Sequence, residues 1–139
     1  MGGIGLPQND TLCNQFAAIL GGEHEFHDGV CSVTIKRNTK ATILGRPTSG
    51  GTVNTIVTFE SLDDNGVSLN IGEIALLQNE VFPFVSALQK QGILVSAIHN
   101  HWIFMNPLLI YVHFSSVENP LSFAQKIKNA LQHINHRNY

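Results

Sequence analysis

Three histidines fall at spacings that could place them together: His99 and His101 in Ala97-Ile98-His99-Asn100-His101-Trp102, and His113 in Tyr111-Val112-His113-Phe114. Side chains alternate across a strand with period two, so His99 and His101 share a face if this stretch is extended. A neighbouring strand through His113 can add the third imidazole. Neutral imidazole suits zinc, copper, nickel or iron, and three protein ligands leave a position for water or substrate. A metal held this way lowers the pKa of bound water and prepares it for hydrolysis. The expected site therefore has His99, His101 and His113 as metal ligands and catalytic groups, with zinc as the expected metal. Glu80 is the expected catalytic carboxylate, and Asn100 and Tyr111 shape the rim where a small molecule would bind. Glu73 or Glu80 could act as fourth ligand, ligand orienter or general base. Glu80 could equally answer the dipole of a helix that starts nearby.

The arrangement makes a geometric demand. His113 joins the others only if it stands across from an odd-numbered residue of the preceding strand, which requires an odd connection centred near Asn106 or Pro107. A slip of one residue sends it to the other face. The companion face would hold Leu94, Ile98, Ile110, Val112 and Phe114, a surface on which helices could pack. The competing reading of the same histidines is structural: three hydrogen-bonded rings on a sheet.

The flanking sequence supplies elements for such a sheet. After an irregular lead-in over residues 1–9, Asp10 or Thr11 can cap a helix with the stripe Leu12, Phe16, Ala17, Leu20, and Gly21-Gly22 stops it. Cys31, Val33 and Ile35 alternate with Ser32, Thr34 and Lys36 as in a half-buried strand, followed by a short strand from Ala41 to Leu44. Residues 45–51 read as a loop, without the Gly-Lys-Ser/Thr ending of a phosphate-binding loop. Thr52 to Leu62 and Val67 to Ile71 read as a hairpin around Asp63-Asp64-Asn65-Gly66, which lacks the ligand spacing of a calcium loop. Asn79 can cap a second helix with Glu80 in its first turn and Val81, Val85 and Leu88 on its inner stripe. Ile93 to His101 and Leu108 to Ser115 read as strands. Asn119-Pro120 opens a last helix with Ala124, Ile127, Leu131 and Ile134 inward, and 136–139 form a tail. Helix, strand, strand thus occurs twice, and Ile56–Leu62 lies over Tyr111–Val117 with Thr58 where His113 stands.

Composition narrows the function classes. With 139 residues, 43% of them hydrophobic, the chain can bury one respectable core, so a single domain over residues 10–135 is expected. A net charge of -2 with 13% charged residues gives no footprint for nucleic acid. No apolar run is long enough for a transmembrane helix, and the start lacks the pattern of a signal peptide. Cys13 and Cys31 could form one disulfide or be two small buried hydrophobes. His-Asn-His here lacks the ββα setting of the nuclease motif of that name, a cupin-like Glu after the His-x-His pair is missing, and there is no Gly-x-Ser-x-Gly elbow.

The run Gly72-Glu73-Ile74-Ala75-Leu76-Leu77-Gln78-Asn79-Glu80-Val81, then Ala87-Leu88, Gly92-Ile93, Ala97-Ile98-His99-Asn100-His101, Pro107 and Tyr111-Val112-His113 resembles the LppY/LpqO-like bacterial domain of unknown function. The likeness runs from about Leu12 to Leu131. It implies a bacterial protein, exported or lipid-anchored in the cell envelope, with Glu80, His99, Asn100, His101 and His113 as its recurrent polar positions. Gln78 stands where the family is often acidic, and neither a lipobox nor a second copy of the domain is visible. No reaction follows from the resemblance.

The reading is a single α+β domain, an antiparallel sheet built from two helix-hairpin (αββ) units with helices mainly on one face. Its expected function is a histidine-lined metal or small-molecule site of hydrolytic type. The alternative is a non-catalytic envelope module with structural histidines, whose partner is an envelope protein or a second copy forming a homo-oligomer.

Overall fold

Alternation drives the central strands: Cys31, Val33 and Ile35 of β2 (Val30–Ile35) and Thr55, Val57 and Phe59 of β5 (Thr55–Glu60) are buried while the residues between them are not. In the computed structural model, which describes residues 2–134, these strands join β1 (Glu23–His27), β6 (Ser68–Leu77), β7 (Leu94–Asn100) and β9 (Leu109–Glu118). Together they form a six-stranded antiparallel sheet in the order β1-β2-β5-β6-β9-β7. Helices α1 (Gly2–Leu20), α2 (Gln78–Lys90) and α3 (Pro120–Leu131) cover one face. Phe16, Phe59, Phe84, Phe114 and Phe123 interlock there with Val57, Ile74, Leu88, Val112 and Ile127. Each of these ten is at most 1% exposed, so the helix side holds most of the apolar burial that drives folding. The fold is the expected α+β domain.

The other face carries a three-stranded antiparallel sheet, β4-β3-β8, made from β3 (Ala41–Ile43), β4 (Arg46–Thr48) and β8 (Met105–Asn106). It closes a smaller core of Ala41, Val53, Ala75, Met105, Leu109 and Tyr111 over one end of the main sheet. β3 and β4 lie between β2 and β5 in sequence, and β8 lies between β7 and β9, so equivalent connections of the two helix-strand-strand units pair with each other. Thr58 and His113, matched in the sequence echo, lie on this same face: Thr58 pairs with Ile71 and Ile71 with Ser115, two residues from His113.

Several boundaries differ from the sequence expectation. α1 starts at Gly2, so the irregular lead-in is helical, although its glycines and Pro7 are poor helix formers; the expected stripe Leu12, Phe16, Ala17 and Leu20 faces the core, joined by Cys13. β1 is not expected from the sequence, because a mostly exposed edge strand lacks apolar alternation; it carries His24 and His27. Part of the expected loop 45–51 is strand β4, and Gly50–Thr52 is a short 3-10 turn. α2 is not capped by Asn79: Leu77 occupies the N-cap, and Glu80 Oε1 accepts from its N–H at 2.8 Å. α3 starts as expected, with Asn119 Oδ1 accepting from Leu121 N and Ser122 N at 2.9 and 3.3 Å. Cys13 and Cys31 are both fully buried and disulfide-bonded, which joins α1 to β2. The C-terminal tail 136–139 lies outside the described residues.

Two local features carry measurable consequences. Gly72 of β6 faces the Phe114 ring so closely that a Cβ would sit 2.3 Å from it. Gly72→Ala is therefore expected to destabilise the fold by about 1–3 kcal/mol through overpacking, read as a lower urea midpoint with an unchanged slope. Glu118 closes β9 against α3. Burial pushes its carboxyl up, but hydrogen bonds from Lys126, Ser116 and Ser122 and the Lys126 charge outweigh this and leave it below the ordinary value. A lowered carboxylate pKa stabilises above the unfolded value and loses that contribution as pH falls through the folded one. Glu118→Gln should thus lower stability at neutral pH, and the gap to the parent should close on acidification, as followed by urea denaturation across a pH series.

Candidate functional site

A single irregularity in the edge strand decides where the imidazoles point. β7 pairs with β9 as Leu94↔Ser115 and Val95↔Phe114, then as Ala97↔His113, Ile98↔Val112, His99↔Tyr111 and Asn100↔Ile110, with Ser96 left over as a bulge. Residues directly opposite each other share a face, so beyond the bulge His99 lies on the same side as Tyr111 and His113. The connection between Asn100 and Ile110 is odd in length and centred on Met105, one residue earlier than expected. Continuing the Leu94↔Ser115 register without the bulge would set His99 opposite Ile110 and turn it to the helix face. The bulge also corrects one expected position: Leu94, paired with Ser115, belongs to the imidazole face rather than to its companion.

The rings then fall in a row. His99 Nε2 lies 3.1 Å from His113 Nε2, with ring centroids 5.1 Å apart and planes 20° from parallel. His99 Nδ1 lies 3.1 Å from the backbone oxygen of Asn100. A carbonyl can only accept, so Nδ1 carries the proton and a neutral His99 keeps its lone pair on Nε2, turned toward His113. His101, just past β7, stacks on Tyr111 at 4.1 Å and meets the edge of Trp102 at 4.5 Å; its centroid is 6.2 Å from that of His99. His99 and His101 are exposed and His113 is half-buried. The three share a face, which the spacing predicts for His99 and His101 and the register adds for His113, but only two converge. Among the described residues no group of three or more His, Cys, Asp or Glu side chains is gathered to hold a metal ion.

The remaining expected site residues separate. Tyr111 is 2% exposed; its hydroxyl donates to Thr52 O at 2.7 Å and to Gly51 O at 3.3 Å, pinning the 3-10 turn over the second core. Burial, then the nearby Glu73 carboxylate, pushes its phenol up. The phenol therefore stays protonated, and Tyr111 serves the site as a ring on which His101 lies, not as a base. Tyr111→Phe should cost about 1 kcal/mol of stability for the lost hydrogen bond, measured by urea denaturation.

Asn100 pairs with Ile110 and so projects to the face opposite the histidines. Its side chain does not line the imidazole face; its backbone oxygen orients His99. Glu80 is also placed elsewhere. It is buried, Arg37 Nη2 donates to both of its oxygens at 2.5 and 2.6 Å, and Oε1 also holds the Leu77 N–H. Arg37 Nη1 donates to Ala75 O at 2.6 Å. A carboxylate committed in this way ties the segment after β2 to β6 and α2 rather than serving the imidazoles. Of the two glutamates weighed from sequence, Glu73 is the one on the right face: it stands opposite His113 in the β6–β9 ladder. A count of strand parity could have favoured it, since Glu73 is even-spaced from the later-paired Ala75 and Leu77, but the pairing partner is not in the sequence. Arg37 was passed over because it sits among other basic residues with nothing local to mark it as buried.

No curated protein and no solved structure matches the chain. One family model does, over residues 14–133, a span that includes every histidine and glutamate discussed above. By that match the chain belongs to the family described as Domain of Unknown Function (DUF1259).

Proposed function

We propose that His99 and His113 are the primary ligands of a divalent transition metal, zinc by ligand type, on the open face of the sheet. The supporting observation is the pair of Nε2 atoms 3.1 Å apart with Nδ1 of His99 held by a carbonyl. Two imidazole nitrogens bound to one metal at about 2.0–2.1 Å each stand about 3.0–3.4 Å apart, so the spacing needs little change on loading. A backbone acceptor on the far nitrogen is the usual way a ligating histidine is oriented. His101, by leaving its stack on Tyr111, or Glu73, from the next strand, supplies a third ligand. Positions left open would take water or a small substrate, from which hydrolysis can proceed.

An extracytoplasmic setting, as in LppY/LpqO-like envelope proteins, fits a buried disulfide, because such bonds persist in oxidising compartments. A non-catalytic envelope module is the competing reading, favoured by the exposed Leu94 and Ile98 on the edge strand β7, where a partner or second copy could add.

The test is titration of tag-free, chelator-treated protein with Co(II), followed by its visible absorption and by competition with zinc. The expected result is one equivalent bound. His99→Ala or His113→Ala should weaken binding at least about a hundredfold, beyond the loss typical of outer-shell changes, with unaltered far-ultraviolet circular dichroism. Absence of stoichiometric binding, or binding indifferent to both substitutions, overturns the metal reading and leaves the module.

A further inference from the structure

The end of the sheet beside the histidines carries apolar side chains that nothing among the described residues covers. Leu44, Ile103 and Phe104 are 72, 72 and 77% exposed, and Trp102 is 42% exposed. They occupy two turns that touch, since Leu44 N donates to Phe104 O at 3.0 Å and Ile43 pairs with Met105. Leu44 and Phe104 both have positive φ, 53° and 55°, in the left-handed region where glycine or asparagine would be at ease. Large apolar residues held at such positions, pointing into water, carry a double cost that the core does not recover.

The stretches of chain that build this end are free of acidic residues. Between residues 29 and 59 the chain has Lys36, Arg37, Lys40 and Arg46 and no acid, and between 81 and 117 it has Lys90 and no acid. Arg37 is taken up by Glu80, and Lys36 lies 3.6 Å from Glu23, but Lys40 and Arg46 are exposed, Arg46 pairing with Ile43 beside the apolar turn. At the opposite end lie Glu60, the Asp63–Asp64 turn and Glu118, with Asp28 in the turn after β1, while Glu23 and Glu73 lie in the cross-strand row of His113.

We propose that this tip docks on the surface of an anionic lipid bilayer, with Leu44, Trp102, Ile103 and Phe104 entering the headgroup boundary and Arg46 near the headgroups. A compact apolar tip containing a tryptophan, with the exposed Arg46 beside it and no acid in the stretches of chain that build it, matches such an interface in polarity and in local charge. No helix among the described residues is long and apolar enough to cross a membrane, and surface docking does not require one. His101 touches the tip through Trp102, so docking would bring the imidazole face against the lipid boundary. The proposal stands apart from the metal reading and is tested with chelator present.

Trp102 is the only tryptophan, which makes it a built-in reporter. The experiment mixes the full chain with vesicles of phosphatidylglycerol and phosphatidylcholine, and with phosphatidylcholine alone, and measures co-sedimentation and Trp102 emission. The expected result is binding to the anionic vesicles with a shift to shorter wavelength, weakened by salt. The double variant Ile103→Ser/Phe104→Ser, folded by circular dichroism, should bind at least about tenfold more weakly, because each large apolar side chain kept from lipid forfeits that much or more. Failure to sediment with anionic vesicles, or binding unchanged in the double variant, overturns the proposal. So does an emission shift that grows with protein concentration without lipid alongside a dimeric mass, which would make a second copy the occupant.

Discussion

Glu80→Ala is expected to cost about 3–5 kcal/mol of folding stability, enough to threaten the native state of a domain this size. The substitution leaves the Arg37 guanidinium, whose side chain is fully buried, without its carboxylate. It also strips the Leu77 N–H of its acceptor at the start of α2. An unpaired buried charge is costlier than the pair is favourable, so Arg37→Met/Glu80→Leu should recover part of the loss. Urea denaturation of the parent, Arg37→Met, Glu80→Leu and the double variant gives the coupling directly. The result also separates the two roles considered for this residue. A catalytic Glu80 would be replaceable without loss of stability; a similar midpoint for Glu80→Ala and the parent would contradict the structural role described here.

Breaking the Cys13–Cys31 bond is expected to be of similar weight. The bridge closes a loop with a sequence separation of 18, and cross-linking a loop of about that length restrains the unfolded chain by about 3 kcal/mol. Both cysteines are fully buried against Phe16 and the strands of the main sheet, so the reduced thiols would still fill their sites and the loss should fall mainly on the unfolded-state side. Cys13→Ala/Cys31→Ala should therefore shift the urea midpoint down by the equivalent of about 2–5 kcal/mol, and a reductant should shift the parent toward the variant while leaving the variant unmoved. If the parent and double variant unfold together, the bond does not contribute as described. A large effect would also bear on location, because a domain that leans on a disulfide is suited to an oxidising compartment.

The two changes address opposite ends of the same problem. The main core between helices and sheet is apolar and continuous, whereas the second core under β3, β4 and β8 is small and is held at its margin by polar groups: Arg37 and Glu80 on one side, the Tyr111 hydroxyl on the other. That margin carries the histidine face. Stability and site geometry are therefore coupled there, and variants that loosen Tyr111 or Glu80 should also disturb the stack of His101 on Tyr111.

From the sequence alone, periodicity determined the α+β class, the strands β2, β5, β7 and β9, the inner faces of the helices, the cap at Asn119 and the shared face of His99 and His101. These are local consequences of side chains alternating along a strand or recurring along a helix, and short-range pattern is enough to read them. What only the tertiary structure decided depends on which segments meet. Ser96 bulges out of the β7–β9 ladder, and the one-residue offset turns His99 toward His113 while sending Asn100 to the far face. Arg37 and Glu80 lie 43 positions apart and find each other only once β2, β6 and α2 have packed, which converts an expected catalytic carboxylate into a structural one. Pairing between distant strands is set by the packing of the whole sheet rather than by any single stretch of chain, so register, and with it the chemistry of the face, is not written locally.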